Sequence, residues 1–107
     1  MRGELWQPLP LPTADLLGWI VVCADALDPA PTATVVAVTG EPPRPGLGWP
    51  LVIPLPQGAL PHDSWVLTTQ LHTIPRHELG RSHGKLPTAA MRQIDDALLR
   101  VLGLDAA

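Results

Sequence analysis

The segment "TATVVAVT", Thr32 to Thr39, is typical of a buried β-strand, because β-branched residues dominate it and the turn-forming stretch "GEPPRPG" ends it. Short apolar runs of the same kind lie on both sides of it. Upstream they span Gly3 to Leu9 and Trp19 to Ala24, and downstream they span Trp49 to Leu55 and Asp63 to Leu71. Because proline or glycine separates the runs, the pattern predicts a chain rich in short strands.

The end of the chain has a different periodicity. "TAAMRQIDDALLRVLG", Thr88 to Gly103, repeats its apolar residues at helical spacing. Pro87 and Thr88 suit a helix start, and Gly103 suits a C-terminal cap. The predicted buried stripe consists of Met91, Ile94, Leu98, Val101 and Leu102. The sequence therefore predicts a mainly β protein with one C-terminal α-helix.

Length and composition limit the class of protein. A chain of 107 residues predicts a single domain over residues 1–107. A hydrophobic fraction of 46% with 16% charged residues is typical of a globular protein, despite 14 prolines. No apolar run is long enough to span a membrane, and the first residues lack the apolar region of a signal peptide. We expect a cytoplasmic protein without a membrane partner.

The charge distribution is uneven. Seven Lys or Arg against ten Asp or Glu give a net charge of −3, which does not favour nucleic acid over the whole surface. The segment from His72 to Lys85, "HTIPRHELGRSHGK", is locally basic with Glu78 as its one acid. A solvated surface explains such a segment as well as a binding site does.

A search for catalytic and ligand-binding motifs finds no glycine-rich phosphate loop, no paired cysteines, no "GxSxG" and no "HExxH". His72, His77 and His83 have irregular spacing and no nearby Cys or carboxylate cluster that would complete a metal site. We expect no metal and no cofactor. Composition and spacing alone predict no function.

Four segments, taken in order, resemble one known family. "RGELW" (Arg2 to Trp6) is close to an opening "RGEVW", "VVCADAL" to "VVSNDAL", and "TVVAVTG" to "VVAPLTS". The segment from Leu67 to Leu104 lies without gaps on "xxDQLRTIDKSRLGRxxGxLSPEDMxxVDEALRxxLGL". In the order and spacing of these segments the chain resembles the MazF/PemK family of toxin endoribonucleases.

The resemblance implies a fold and an activity. It implies an SH3-like small barrel of antiparallel strands with a C-terminal helix, working as a homodimer. Members of the family cut single-stranded RNA without a metal and are held inactive by a cognate antitoxin peptide. The RNA supplies its own 2′-OH as the nucleophile, so that the products carry 2′,3′-cyclic phosphate ends.

The resemblance also implies site residues. The family's catalytic Arg-Pro pair falls on Gly18-Trp19, so the arginine is missing, while Thr39 falls on the family's Thr. His72 replaces an Arg, whereas Gln70 and Thr73 match the family. We therefore expect Thr39 and His72 as catalytic residues and, as substrate-binding residues, Arg44, Gln70, Thr73 and Arg76.

Loss of the arginine leaves the activity open. Removing one transition-state stabiliser typically costs a factor of hundreds in rate. One alternative is a weak endoribonuclease, and the other is a non-catalytic homologue that binds RNA, an antitoxin or another toxin subunit. A third, a scaffold with a changed target as in the gyrase poisons, has no feature in its favour. Trp6, Trp49, Leu99 and the Trp49 to Leu55 edge are candidates for subunit or peptide contacts.

Overall fold

The computed structural model describes residues 1–43 and 51–105. More of these residues lie in β-strands than in helices, as the short β-branched runs of the sequence predict. The strands are β1 (Glu4–Pro8), β2 (Gly18–Val21), β3 (Thr32–Thr39), β4 (Val52–Pro54), β5 (Trp65–Pro75) and β6 (Leu79–Lys85). One helix, α1 (Thr88–Val101), follows them. The prediction of a mainly β protein with a C-terminal helix is confirmed.

The six strands form one antiparallel sheet in the order β4-β5-β3-β2-β1-β6. Closure into the expected barrel is not found. Within the described ranges β4 pairs with β5 and β6 pairs with β1, so that these two strands are the edges of an open sheet. The helix, rather than a contact between the edges, covers the apolar face between them.

Several strands differ from the sequence prediction in their bounds or in their presence. β5 continues four residues past the predicted end at Leu71, to Pro75. β6 was not predicted, because Leu79 is its only buried residue and its other positions are polar or glycine. Among the described residues of the strand predicted from Trp49 to Leu55, Val52–Pro54 form β4. The first two residues of that predicted strand, like Arg44, lie outside the described residues.

The core has two parts, one on each side of the sheet. On one side, apolar residues of the sheet such as Leu5, Ile20 and Val36 pack against Ile94 and its neighbours on α1. On the other side a smaller cluster forms from Val21, Ala33, Val35, Ile74 and Leu79. No helix in the described ranges has the length and apolar character needed to cross a membrane.

The helix confirms most of its predicted pattern. Met91, Ile94 and Leu98 are buried, together with two alanines. Gly103 adopts a φ of 71°, its N–H donates to Arg100 O (3.1 Å), and the N–H of Leu104 donates to Leu99 O (2.7 Å). These two bonds form a Schellman cap. Leu102, predicted to be buried, is instead 53% exposed, because it lies beyond the last helical residue.

Candidate functional site

Thr39 is the last residue of β3, and the loop between β1 and β2 contacts the strand at this end. Its hydroxyl donates to Ala14 O (3.3 Å) and accepts the N–H of Glu41 (3.1 Å). The N–H of Gly40 also donates to Ala14 O (2.9 Å). Thr39 is 7% exposed. In this structure the hydroxyl therefore holds the β1–β2 loop onto the end of β3.

A cavity of about 430 Å³ opens beside this junction. We call it the loop cavity; it is lined by residues 12–14 and Leu17 of the β1–β2 loop, residues 60–62 before β5, Gln7 of β1 and His83 of β6. Ala14 belongs both to this lining and to the hydrogen bond with Thr39. Four polar side chains line a mainly apolar space, and they belong to Gln7, Thr13, His62 and His83.

His83 occupies an irregular position in β6. Leu5 pairs with Gly84, but Trp6 pairs with Ser82, so His83 is the extra residue of a β-bulge. Gly84 has a φ of 95° and donates its N–H to Ser82 Oγ (3.1 Å). That conformation suits glycine because a side chain would strain it. Bulges redirect side chains and are frequent beside functional sites.

The predicted residues of β5 form a separate group. Gln70, His72 and Thr73 are exposed. Val36 pairs with Leu71 while Ala37 pairs with Leu67, so residues 68–70, including Gln70, bulge out of the ladder.

His72 pairs with Val35, and its ring meets the edge of Trp19 with centroids 5.3 Å apart. Thr39 lies four residues farther along β3 than Val35, which corresponds to about 13 Å along the strand. The structure therefore does not bring His72 to Thr39.

Arg76 lies at the opposite end of β3 from Thr39. Its Nε donates to Ala30 O (2.5 Å), its Nη2 donates to Leu27 O (2.8 Å), and its Nη1 lies 2.9 Å from Met1 Sδ. The guanidinium thus anchors the loop before β3. Arg44, the other arginine predicted to bind substrate, lies outside the described residues.

Position 18 faces the core. Gly18 is buried and pairs with Val38, and a methyl group there would lie 2.9 Å from Leu5 Cδ1 and 3.2 Å from Trp6 O. The preceding residue, Leu17, lines the loop cavity. Its Cδ1 would lie 2.9 Å from a methyl group placed at Gly40. A side chain at position 17 therefore lies against Gly40, between the loop cavity and the edge of the main core, whereas one at position 18 would enter the core beside Leu5.

Neither His62 nor His83 was predicted from the sequence to have a role in the site. Their separation in the sequence gave no reason to place them together, and the bulge at His83 depends on a pairing that the sequence does not reveal. The one local signal is Gly84, since an isolated glycine in a strand often marks a bulge. Among the described residues no group of three or more His, Cys, Asp or Glu could hold a metal ion.

The open antiparallel sheet, its C-terminal helix and the cavity between its loops define a small β protein with a ligand-sized site. The profile of the PemK-like, MazF-like toxins of type II toxin-antitoxin systems matches residues 18–102. The chain belongs to this family. A search of curated proteins gave no significant match.

Solved structures with the same fold cover nearly all of the chain. An endoribonuclease from a Mycobacterial species has a TM-score of 0.80 and 21% identity, over 100% of this chain and 94% of that one. An endoribonuclease from a Mycobacterial species in complex with its cognate antitoxin has a TM-score of 0.80 and 24% identity, over 100% and 98%. A MazE-MazF complex from Deinococcus radiodurans has a TM-score of 0.76 and 16% identity, over 97% and 96%.

Proposed function

We propose that the chain is a toxin whose activity is the cleavage of single-stranded RNA in the cytoplasm, without a metal ion. The observation that carries this proposal is the loop cavity beside Thr39, in a member of a toxin family. Its volume of about 430 Å³ lies within the range of small-molecule sites and has room for one nucleotide unit. Its polar groups can hold an RNA strand so that a 2′-OH attacks the adjacent phosphate.

The activity is expected to be weak, because none of the described residues that line the loop cavity is a lysine or an arginine. An arginine stabilises the charge that develops on phosphate through two parallel hydrogen bonds. Two candidate cations are engaged elsewhere: Arg76 binds backbone carbonyls, and Arg2 donates to Asp95 Oδ1 (2.5 Å) and to Val22 O (3.1 Å).

The proposed partners are a second copy of the chain and an antitoxin peptide. The side of the sheet that faces away from α1 carries Trp6, Trp19 and Trp65, all partly exposed, and Leu99 of α1 is 44% exposed. Burial of these side chains would favour a homodimer. The antitoxin complexes among the structural neighbours support a peptide partner. Light scattering is expected to give twice the mass of the 11.4 kDa chain.

Cleavage of a single-stranded RNA library in the presence of EDTA tests the activity. We expect products with 2′,3′-cyclic phosphate and 5′-OH ends. Matched strands with 2′-deoxy substitution at the cut position are the control, and they must remain intact because they lack the nucleophile. A folded protein that leaves every ribo-strand intact would contradict the proposal.

The second candidate is a non-catalytic homologue that binds RNA, an antitoxin or another toxin subunit. The observation in its favour is the commitment of the Thr39 hydroxyl to Ala14 O and the Glu41 N–H, at 7% exposure. Calorimetry with a candidate antitoxin, or with uncleaved RNA, distinguishes the two. Defined stoichiometry without cleavage would favour this alternative.

A further inference from the structure

Two histidines far apart in the sequence line one cavity. His62 precedes β5, His83 lies in β6, and both contribute to the loop cavity. Neither imidazole makes a hydrogen bond or ion pair within residues 1–43 and 51–105. The bulge at His83 and the left-handed Gly84 set where the second imidazole lies.

The surroundings of the two imidazoles contain few other titratable groups. The remaining lining of the loop cavity, Gln7, residues 12–14, Leu17 and residues 60–61, contains none. Asp63 lies with His62 on a neighbouring hollow, and Lys85 lies with His83 on another. Two imidazoles thus share one partly apolar space with one carboxylate and one ammonium at its margins.

We propose that His62 and His83 are the catalytic proton-transfer pair for RNA cleavage in the loop cavity. This inference rests on the proposed endoribonuclease function. Histidine is the side chain that most readily accepts and donates protons near neutral pH. The pair supplies acid and base chemistry at a site where no arginine is among the described lining residues.

The reaction balances with these two groups alone. One neutral imidazole takes the proton of the 2′-OH, and the 2′-oxygen forms a bond to phosphorus. The bond between phosphorus and the 5′-oxygen breaks, and the other imidazole, initially protonated, gives its proton to that oxygen. The products are a 2′,3′-cyclic phosphate and a 5′-OH, and proton exchange with water restores the pair.

The other predicted groups are less well placed for this role. His72, on β5, pairs with Val35 of β3, which lies about 13 Å along that strand from Thr39. Its ring packs against Trp19. The Thr39 side chain is buried, and its hydroxyl is already engaged in two hydrogen bonds. Thr39 is therefore a positioning residue that fixes the β1–β2 loop beside the imidazoles.

Single-site variants test the pair directly. His62→Ala and His83→Ala are each expected to lower kcat by about 100-fold or more while KM changes little, because proton transfer contributes about 10²–10⁴-fold. The bell-shaped pH profile of kcat should lose one limb in each variant. His77→Ala, at an exposed histidine outside the cavity, is the matched control and should retain the full rate and profile. His62→Gln and His83→Gln retain polarity and size, so they separate lost chemistry from lost folding.

A modified substrate identifies the acid. An RNA in which sulfur replaces the bridging 5′-oxygen has a leaving group that needs no proton. It should restore near-normal cleavage to the variant that lacks the acid and not to the variant that lacks the base. Failure to rescue either variant would overturn the assignment of a proton donor.

Two further outcomes separate the inference from the proposed function. If the unmodified protein cleaves RNA and the glutamine variants match its kcat and pH profile, the histidine pair is wrong and the endoribonuclease function stands. A rise in KM with unchanged kcat would also contradict proton transfer by the two histidines. It would mean that the cavity binds a nucleobase of the RNA. If the unmodified protein cuts no RNA, the proposed function fails and the pair fails with it.

A binding measurement gives a readout that does not need turnover. Uridine 3′-monophosphate is expected to shift the imidazole NMR signals of His62 and His83 and to leave those of His77 unchanged. Equal response of all three, or none, would contradict a site built around the pair.

Discussion

The two ends of β3 use their polar residues in opposite ways. Near Thr32, the guanidinium of Arg76 is bound to the carbonyls of Ala30 and Leu27, and the backbone N–H of Arg76 donates to Pro31 O (2.9 Å). Near Thr39, the imidazoles of the loop cavity have no such internal partners within the described part of the chain. The first end is built for stability and the second leaves groups available for a ligand. Counting cations in the sequence therefore overstates what this protein offers to RNA.

The largest expected effect comes from placing an arginine at Gly18, the residue of β2 that pairs with Val38 beside the Thr39 end of β3. Gly18→Arg should destabilise the fold by about 3 kcal/mol or more, because it buries an unpaired charge among core residues. A methyl group at position 18 already lies 2.9 Å from Leu5 Cδ1. Urea unfolding measures the loss. A Gly18→Arg variant that folds like the parent would show that this position does not face the core.

The neighbouring position sharpens the comparison. Leu17→Arg should destabilise the fold less than Gly18→Arg, because Leu17 is only partly buried: it packs against the edge of the main core and also lines the loop cavity. It should raise RNA cleavage by about tenfold or more, since it brings a guanidinium to the loop cavity. Leu17→Gln is the control for polarity without charge. No gain from Leu17→Arg, with binding intact, would argue that the cavity does not hold the scissile phosphate.

Arg76 tests the opposite end. Arg76→Ala should lower the free energy of unfolding by about 2 kcal/mol, because two carbonyls lose a charged donor. Cleavage per folded molecule should not change. Arg81→Ala, an exposed arginine of β6, is the matched control and should alter stability little. Loss of cleavage at full stability in Arg76→Ala would instead support the substrate-binding role predicted from the sequence.

The fold could be predicted where local pattern and burial agree. β3 matches its predicted bounds because alternating β-branched residues are buried on both sides of the sheet. The Schellman cap at Gly103 follows from one glycine after an amphipathic repeat. β6 could not be predicted, since an edge strand with one buried residue has no apolar alternation.

The candidate site was less predictable, because it depends on pairing between distant segments. Thr39 and Gly18 are adjacent through the β2–β3 register, yet the sequence does not reveal that position 18 faces the core. Arg76 resembles a ligand in a basic segment, and only the loop before β3 shows what it binds. His62 and His83 line the same cavity because of the β1–β6 bulge and the path of residues 60–62.

A smaller effect is expected at the link between the N-terminal segment and α1. Arg2 donates to both oxygens of Asp95, at 2.5 and 3.4 Å, and the two side chains are 35% and 40% exposed. Asp95→Asn should cost about 0.5–1 kcal/mol at low salt, and less at high salt because ions screen the pair. Asp96→Asn, on the exposed side of the helix, is the control. A cost that does not depend on salt would exclude a mainly electrostatic contribution.

The smallest effect concerns the stability that Asp25 provides in the loop before β3 and that is lost at acid pH. The pKa of Asp25 lies below its usual value, because its carboxylate accepts the N–H of Arg2 (2.7 Å) and, second, the α-ammonium of Met1 (2.9 Å). A depressed pKa in the folded state adds stability above the unfolded pKa of about 4, and that stability is lost as the pH falls through the folded value. Asp25→Asn should therefore be less stable than the parent near pH 7, and the difference should shrink as the pH falls below about 4, since the unfolded carboxylate takes up its proton before the folded one does. Because Asp25 is exposed to solvent, the difference should be small and is best measured by urea unfolding near pH 7 and below about pH 4. An equal difference at both would mean that the amide substitution disturbs packing instead of removing a charge.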